Sequence, residues 1–185
     1  MRELIANSLI HQDFSVTGTG PFVEIFDDRI EISNPGQPLI NPLRFIDEYQ
    51  SRNEALASLM RRLRICEEKG SGIDKVIHYT ESGQLPAPDF RVKEKHTVAV
   101  MFAYQKLNDM DKKDKIRACY QHCCLKYVSN ETMTNESLRE RFQIEDQNAA
   151  TASRIIKDTL NESLIKPLDP ENRSRKYPKY IPAWA

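Results

Sequence analysis

The chain has 185 residues, of which 39% are hydrophobic and 29% charged, and this composition excludes a wholly disordered protein because it supports a packed core. It contains no apolar run long enough to span a bilayer and no secretory signal at its start, so we expect a soluble cytoplasmic protein with no membrane partner. The 27 basic and 27 acidic residues cancel overall, but residues 105–185 carry 15 basic against 12 acidic residues. Because local charge decides whether a surface attracts nucleic acid, the zero total does not exclude that partner.

Residues 1–104 predict a layered α+β unit, since helical and strand patterns alternate along them. The first helix opens without a cap or a preceding strand, which leads us to expect that the sequence is a fragment of a longer chain. A hairpin is predicted where Asp27 and Asp28 separate two β-rich runs. In chain order the predicted elements are a helix over 2–10, strands over 22–26 and 29–33, helices over 53–64 and 73–80, and strands over 90–92 and 97–103.

Residues 105–185 predict a second unit, which begins with a polar linker over 105–114. Thr134 is a good N-cap for the second helix of this unit, and Met133 and Leu138 are placed to form a hydrophobic staple. The predicted elements are helices over 112–128, from 134 onwards and over 146–162, followed by short strands at 164–165 and 180–181. Three helices followed by a basic β-hairpin are typical of a winged helix-turn-helix.

The third helix of this unit has the composition of a helix that reads DNA. Its apolar stripe would pack on the core and consists of Ala152, Ile155, Ile156 and Leu160. The side chains predicted to contact duplex DNA are Gln147, Thr151, Arg154 and Lys157 on the opposite face, and Arg173, Arg175, Lys176 and Lys179 on the hairpin. Gln, Thr and Arg can read base edges, and the hairpin cations suit phosphates. The alternative is a solvated helix face beside a solvated basic loop, which Asp158 on the outward face favours.

Three of the four cysteines, Cys119, Cys123 and Cys124, lie within six residues of the chain. They lack the paired CxxC spacing of a zinc site, and the helical pattern puts Cys119 and Cys123 on one apolar face. We interpret them as buried reduced thiols. The alternative is that His122, beside them, is a metal ligand.

Polar residues and glycines in the first unit form a pattern that suits a phosphate. Glu3, Asn7 and His11 are four residues apart, so on a helix they share one face. Gly70 and Gly72 open a helix, where glycines let backbone N–H groups approach an anion and the helix dipole favours phosphate. The alternative is a solvated polar stripe beside glycines that only turn the chain.

Several segments carry a resemblance to a known family: RELIANSLIHQDFS, IFDDRIEISNPG, SRN and EEKGSGIDKV. Together they resemble the C-terminal module of bacterial proteins described as transcriptional regulators or as RecG-related ATP-dependent DNA helicases. The resemblance implies a GHKL fold, the α/β sandwich of the histidine-kinase ATPases. The segment from TNESLRERF to RKYPKYIPAW is similar to the winged helix that often follows this module. In longer family members a Schlafen/AlbA-type DNA-binding domain comes first, and we expect it as the missing N-terminal domain of the full-length chain.

By position, the resemblance implies a site for ATP and Mg²⁺. Glu3 matches the family's catalytic general base, and Asn7 its magnesium ligand. The implied ATP-binding residues are Asn7, Asn34, Gly36, Gly70 and Gly72. Asn34 stands where the family has an adenine-reading Asp, the long glycine-rich lid is missing, and the unit is short for a complete sandwich. Arg52 and Asn53 belong to the SRN signature, in which we interpret Asn53 as the cap of the helix that follows.

The two predicted domains, 1–104 and 105–185, leave three functions open. The first is a DNA-binding transcriptional regulator whose GHKL-like unit acts as a sensor or dimerisation platform, with a homodimer expected on paired half-sites. The second is a Mg²⁺-dependent ATPase in which Glu3 activates water. It is not a helicase, because the chain has no GxxxxGK[ST] P-loop. The third is a protein-interaction scaffold, and the sequence patterns favour the first.

Overall fold

The computed structural model describes residues 1–66, 72–169 and 178–185. The chain divides into unit 1, which comprises Met1–Tyr79 and Pro88–Ala103, and unit 2, which comprises Thr80–Ala87 and Tyr104–Ala185. The architecture is mixed α+β, as the sequence predicts, with six α-helices, a four-stranded sheet and a two-stranded sheet within the described residues. None of those helices combines the length and the apolar character that crossing a membrane requires.

Each helix and strand predicted from the sequence is present, with ends that shift by a few residues. The helices are α1 (Arg2–His11), α2 (Glu54–Arg62), α3 (Gly72–Ser82), α4 (Lys112–Val128), α5 (Asn135–Phe142) and α6 (Ala149–Asn161). The strands are β1 (Phe22–Ile25), β2 (Arg29–Pro35), β3 (Asp89–Val92), β4 (His96–Phe102), β5 (Ile165–Pro167) and β6 (Tyr180–Pro182). Short 3-10 turns cover Pro42–Arg44 and Asp146–Asn148.

The sheet of unit 1 is antiparallel throughout, with strand order β1-β2-β4-β3. The predicted hairpin at Asp27 and Asp28 is confirmed: the Phe26 N–H donates to the Arg29 carbonyl at 2.8 Å. Strand β2 runs two residues beyond its predicted end, because its pairing with β4 continues as far as Pro35 opposite His96. That extension carries Asn34 into the ladder.

Helix α1 is held by two apolar contacts that use different faces. Leu4 packs with Ile32 of β2 and Val76 of α3 in one buried cluster. Ala6 and Ile10 pack with Ala57 and Met60 of α2 in another. Since both apolar faces of α1 are thereby buried, the third face of the helix, which carries its polar residues, has a defined direction.

Unit 2 contains three packed helices followed by the antiparallel pair β5–β6. The predicted cap of α5 is confirmed: the Thr134 hydroxyl accepts from the Ser137 N–H at 3.1 Å, and the Ser137 hydroxyl accepts from the Thr134 N–H at 3.0 Å. The staple residues Met133 and Leu138 are both fully buried. Helix α6 begins at Ala149, later than predicted, because the residues from Asp146 form a 3-10 turn first.

The three clustered thiols are buried and reduced, which confirms their interpretation. Burial raises the pKa of the Cys119 thiol to about 12 and also raises that of Cys123. The metal-ligand alternative for His122 is wrong, because both ring nitrogens of His122 are already within hydrogen-bond distance of other side chains. No group of three His, Cys, Asp or Glu side chains in the described parts of the chain is placed to hold a metal ion.

A buried polar group inside unit 2, which we call the Glu81 cluster, consists of Glu81, His122, Ser137 and Arg141. His122 Nδ1 lies 3.1 Å from a Glu81 carboxylate oxygen, and its Nε2 lies 3.1 Å from the Ser137 hydroxyl. Arg141 lies 3.5 Å from the Glu81 carboxylate and donates to the Leu85 carbonyl at 2.6 Å. Burial lowers the pKa of the Arg141 guanidinium, and the charge of Glu81 opposes that shift. These contacts hold the end of α3 and the loop after it within unit 2.

Candidate functional site

Unit 1 contains a cleft that is open to solvent, and every residue that lines it belongs to this unit. One side of the cleft is the polar face of α1, and the floor is the helix-covered face of β2 and β4. Gly72 at the start of α3 and Arg52 in the loop before α2 also line it. The lining thus combines a polar side with an apolar floor, as ligand sites commonly do.

Glu3, Asn7 and His11 all line the cleft, which confirms that they share one face of α1. Glu3 is buried, and its Oε1 lies 3.3 Å from the Arg2 guanidinium. Burial lowers the pKa of the His11 imidazole, and the nearby positive charge of Arg52 lowers it further. His11 is therefore neutral at pH 7 and can become a cation only where an anion compensates.

Gly72 lies against Glu3 and Asn7, so the structure brings these three predicted residues together. A Cβ atom at Gly72 would sit 3.4 Å from Glu3 Oε2 and 3.8 Å from Asn7 Nδ2. These are ordinary contact distances, so the fold tolerates a methyl group there. The lack of a side chain instead leaves a space between a carboxylate, an amide and the first residue of α3.

The floor of the cleft places Asn34 of β2 directly opposite Thr97 of β4. Asn34 Nδ2 donates to the Pro35 carbonyl at 3.3 Å, and the Thr97 hydroxyl donates to the Gly36 carbonyl at 2.9 Å. Each side chain therefore keeps an oxygen that can accept from a ligand, and Asn34 also keeps its second amide N–H as a donor. Ile32 and Ala99 continue the floor as apolar surface. Thr97 was not predicted as a site residue; the strand alternation of Thr97 with apolar neighbours was its only signal.

Gly36 does not line the cleft but forms the turn after β2, with a φ of +94°. Its N–H donates to the Lys95 carbonyl at 2.8 Å, and a Cβ there would lie 2.7 Å from the Asp13 Cβ. Its place in the structure is therefore explained by backbone conformation and close packing. Gly70, which was predicted together with Gly72 to approach the phosphates, lies outside the described residues.

The SRN signature holds the end of α1 in place. The Asn53 side chain donates to the carbonyls of Ile10 and Gln12, each at 2.8 Å. Asn53 occupies the N-cap position of α2, as interpreted, but its side chain makes no capping hydrogen bond there. The amide instead satisfies carbonyls that the end of α1 leaves without helical partners. Arg52 donates to Asp13 at 3.3 Å and to the Gln37 carbonyl at 2.6 Å.

The residues predicted to contact DNA lie on α6 and around it in unit 2. Arg154, Lys157, Gln147 and Lys179 are exposed, and Thr151 is half-buried. The stripe behind them is confirmed, with Ala152, Ile155 and Ile156 buried and Leu160 half-buried. Asp158 pairs with Lys112 at 2.9 Å, so its charge is compensated. Arg173, Arg175 and Lys176 lie outside the described residues.

The side chains at Gly72 fit a hard divalent cation better than a soft one. Glu3 and Asn7 supply oxygen ligands of the kind that Mg²⁺ prefers, and Mg²⁺ needs few protein ligands when phosphate and water complete its octahedron. The space that a Cβ of Gly72 would fill lies beside Glu3 Oε2 and beside Asn7 Nδ2, so the Asn7 amide has to turn over to present its oxygen to an ion there. The donor set therefore fits Mg²⁺ with a phosphate ligand.

Comparison with known proteins supports the resemblance of this region to RecG-related proteins. Residues 18–102 match a family model described as "Putative ATP-dependent DNA helicase recG C-terminal". The match contains Asn34, Gly72 and Thr97 and begins after α1. The mixed α+β architecture of unit 1 is consistent with an ATPase-like fold.

One solved structure with a similar fold is the DIP2311 protein from Corynebacterium diphtheriae, with a TM-score of 0.54 and 16% sequence identity. The superposition covers 98% of this chain but 38% of that protein, so the chain spans about two fifths of its length. At this identity the likeness shows the fold alone. Among the curated proteins, none matches the chain significantly.

Proposed function

We propose that unit 1 binds ATP with Mg²⁺ in its cleft, as a GHKL-type nucleotide-binding module. One observation carries the proposal: the face of α1 with Glu3 and Asn7 meets Gly72 at the start of α3 inside the cleft of unit 1. The match of residues 18–102 to a RecG C-terminal family model supports it independently. This places the ATPase hypothesis ahead of the DNA-binding regulator that the sequence patterns favoured.

The residues around Gly72 would bind the phosphates of ATP. Asn7 would hold Mg²⁺ through its amide oxygen, and the ion would neutralise phosphate charge. The backbone at the start of α3 approaches the phosphates, because Gly72 presents no side chain and helix starts attract anions. Glu3 would be the base that takes a proton from a water attacking the γ-phosphorus; the bond from this phosphorus to the bridging oxygen would break, ADP would leave, and the water oxygen would remain in the released phosphate.

The floor of the cleft would bind the adenine ring of ATP. Ala99, which is half-buried, offers apolar surface for a purine ring beside the buried Ile32. Asn34 and Thr97 present acceptors at its edge, which match the exocyclic amino group of adenine. The amide at Asn34 therefore supplies the acceptor that the family's carboxylate would supply.

Isothermal titration of the chain with a non-hydrolysable ATP analogue tests the proposal. We expect binding that requires Mg²⁺ and weakens at least about tenfold in Asn7→Ala and in Gly72→Ala, where a methyl group fills the space beside Glu3 and Asn7. Gly20→Ala is the matched control, because nothing lies within 4 Å of a Cβ at Gly20. Glu3→Gln should keep this binding and, in a separate assay with ATP and Mg²⁺, should lose phosphate release. Absent binding, or binding equal in Gly72→Ala and Gly20→Ala, contradicts the proposal.

A second candidate function is duplex DNA binding by unit 2 as a winged helix-turn-helix, in a transcriptional regulator. The order of three helices and an antiparallel strand pair supports it, with α5 followed closely by α6. Asn135 of α5 donates to the Ala149 carbonyl and to the Ser153 hydroxyl, which fixes α6 against α5. Arg154 and Lys157 project from α6 into solvent. These are the features that place a helix in a major groove.

Fluorescence anisotropy with a labelled duplex of mixed sequence tests this second candidate. We expect affinity to fall steeply with salt, because counterions leave the phosphates on binding. Arg154→Ala should weaken binding by about tenfold, and Lys157→Ala should lower the salt dependence. Lys106→Ala, an exposed lysine of unit 2 away from α6, is the control and should change neither quantity. Equal losses in Lys106→Ala and Arg154→Ala would place the binding surface elsewhere.

A further inference from the structure

Strand β1 is an open edge of the sheet within the part of the chain that the structure describes, since β1 pairs with β2 alone. The hairpin bond from Phe26 to Arg29 sets the ladder, so Phe22 and Glu24 form the hydrogen-bonded pairs with β2. The N–H and C=O groups of Val23 and Ile25 therefore point away from β2. They form a short row of backbone groups to which another strand could bind.

The same strand exposes apolar side chains. Val23 pairs with Ile32 and lies on the same face of the sheet, yet 43% of Val23 is exposed against 2% of Ile32. Ile25 is 79% exposed. The helices of unit 1 thus cover β2 but not β1. An open edge with exposed apolar residues and no protecting lysine is a surface that natural proteins cover.

We propose that a second copy of this chain covers it, by antiparallel pairing of β1 with β1 of the partner. The charges favour that arrangement. Glu24 lies within β1 and Asp27 and Asp28 follow it in the turn, where Arg29 pairs with Asp28, whereas residues 17–21 before the strand are uncharged. An antiparallel twofold pairing sets the acidic end of each copy beside the uncharged end of the other, whereas parallel pairing would bring two acidic ends together.

The area limits the strength of the dimer. The exposed parts of Phe22, Val23, Ile25 and Phe26 sum to roughly 400 Å² in each copy, about half of what a standard interface buries per partner. The dimer is therefore expected to be weak, at the micromolar end of the range that protein interfaces show. This surface is separate from the cleft, so the pairing does not depend on nucleotide binding.

Sedimentation equilibrium of the chain at about 5–500 μM tests the pairing over the expected range. We expect dimers at the upper end, and at least a tenfold weaker association in Ile25→Lys. Leu63→Lys, at a position of α2 that is 61% exposed, is the matched control and should leave the association unchanged. A chain that stays monomeric throughout, or one in which Leu63→Lys disrupts the dimer and Ile25→Lys does not, overturns the proposal.

Hydrogen exchange at low and high protein concentration separates strand pairing from side-chain contact. The amides of Val23 and Ile25 should become protected as concentration rises. The amide of Glu24, already bonded within the hairpin, should not change. Val23→Pro removes an N–H that β2 does not use, so it should abolish the dimer and keep the monomer folded. A dimer that persists in Val23→Pro without protection at these amides contradicts the pairing.

Discussion

Replacing Gly36 by alanine is expected to lower the free energy of unfolding by about 3 kcal/mol, from backbone strain and overpacking together. The residue has a φ of +94°, which an L side chain adopts only with strain. Its new methyl group would also lie 2.7 Å from the Asp13 Cβ, so the turn or the segment after α1 must move. Urea unfolding followed by circular dichroism measures the loss.

Two other glycines separate the causes of that loss. Gly18 has a φ of +77° but nothing within 4 Å of a Cβ, so Gly18→Ala should show the strain alone, about 1 kcal/mol. Gly20 has neither feature, so Gly20→Ala should leave stability nearly unchanged. If Gly36→Ala and Gly18→Ala lowered the free energy of unfolding equally, the close contact with Asp13 would contribute nothing to the loss at Gly36.

Glu81→Gln is expected to lower the free energy of unfolding by about 3 kcal/mol, because it leaves the buried Arg141 cation without its counter-charge. The Arg141 side chain is 1% exposed, and burial already lowers its pKa, so water cannot replace the lost carboxylate. His122 loses its charged partner at the same time. Thermal and urea unfolding of the variant at pH 7 measure the effect.

Glu131→Gln provides the matched control for Glu81→Gln. Glu131 pairs with Lys126 at 2.7 Å, but its side chain is 58% exposed and solvent screens the pair. The control should unfold like the unchanged chain. If Glu81→Gln did so as well, the Glu81 cluster would be solvated rather than buried in solution.

Local features of the fold could be predicted from the sequence. The ends of α4 and the Thr134 cap depend on neighbouring residues, and the structure confirms both. The polar face of α1 could be predicted because a spacing of four fixes a helix face. The contact of that face with Gly72 became expected only through the family resemblance, since the two lie far apart in the chain.

The features that sequence reasoning missed depend on long-range contacts. Asn53 bonds to carbonyls 43 and 41 residues away, so a local capping rule could not find its role. Glu81 and His122 are 41 residues apart, and each alone reads as an ordinary helix residue. Thr97 gains its place from the register of β4 against β2. Pairing register and tertiary contact are not encoded in residue spacing.

Unit 2 includes Thr80–Ala87, which precede β3 and β4 in the chain. Both of these strands belong to unit 1. No single scission of the polypeptide can therefore yield two whole units. A fragment that began at residue 105 would lack Glu81 and Leu85, with which Arg141 makes its ion pair and its carbonyl bond. On the ribosome, the first part of unit 2 emerges before unit 1 is finished. Recombination could exchange unit 2 only as an interrupted module, by three crossovers rather than one.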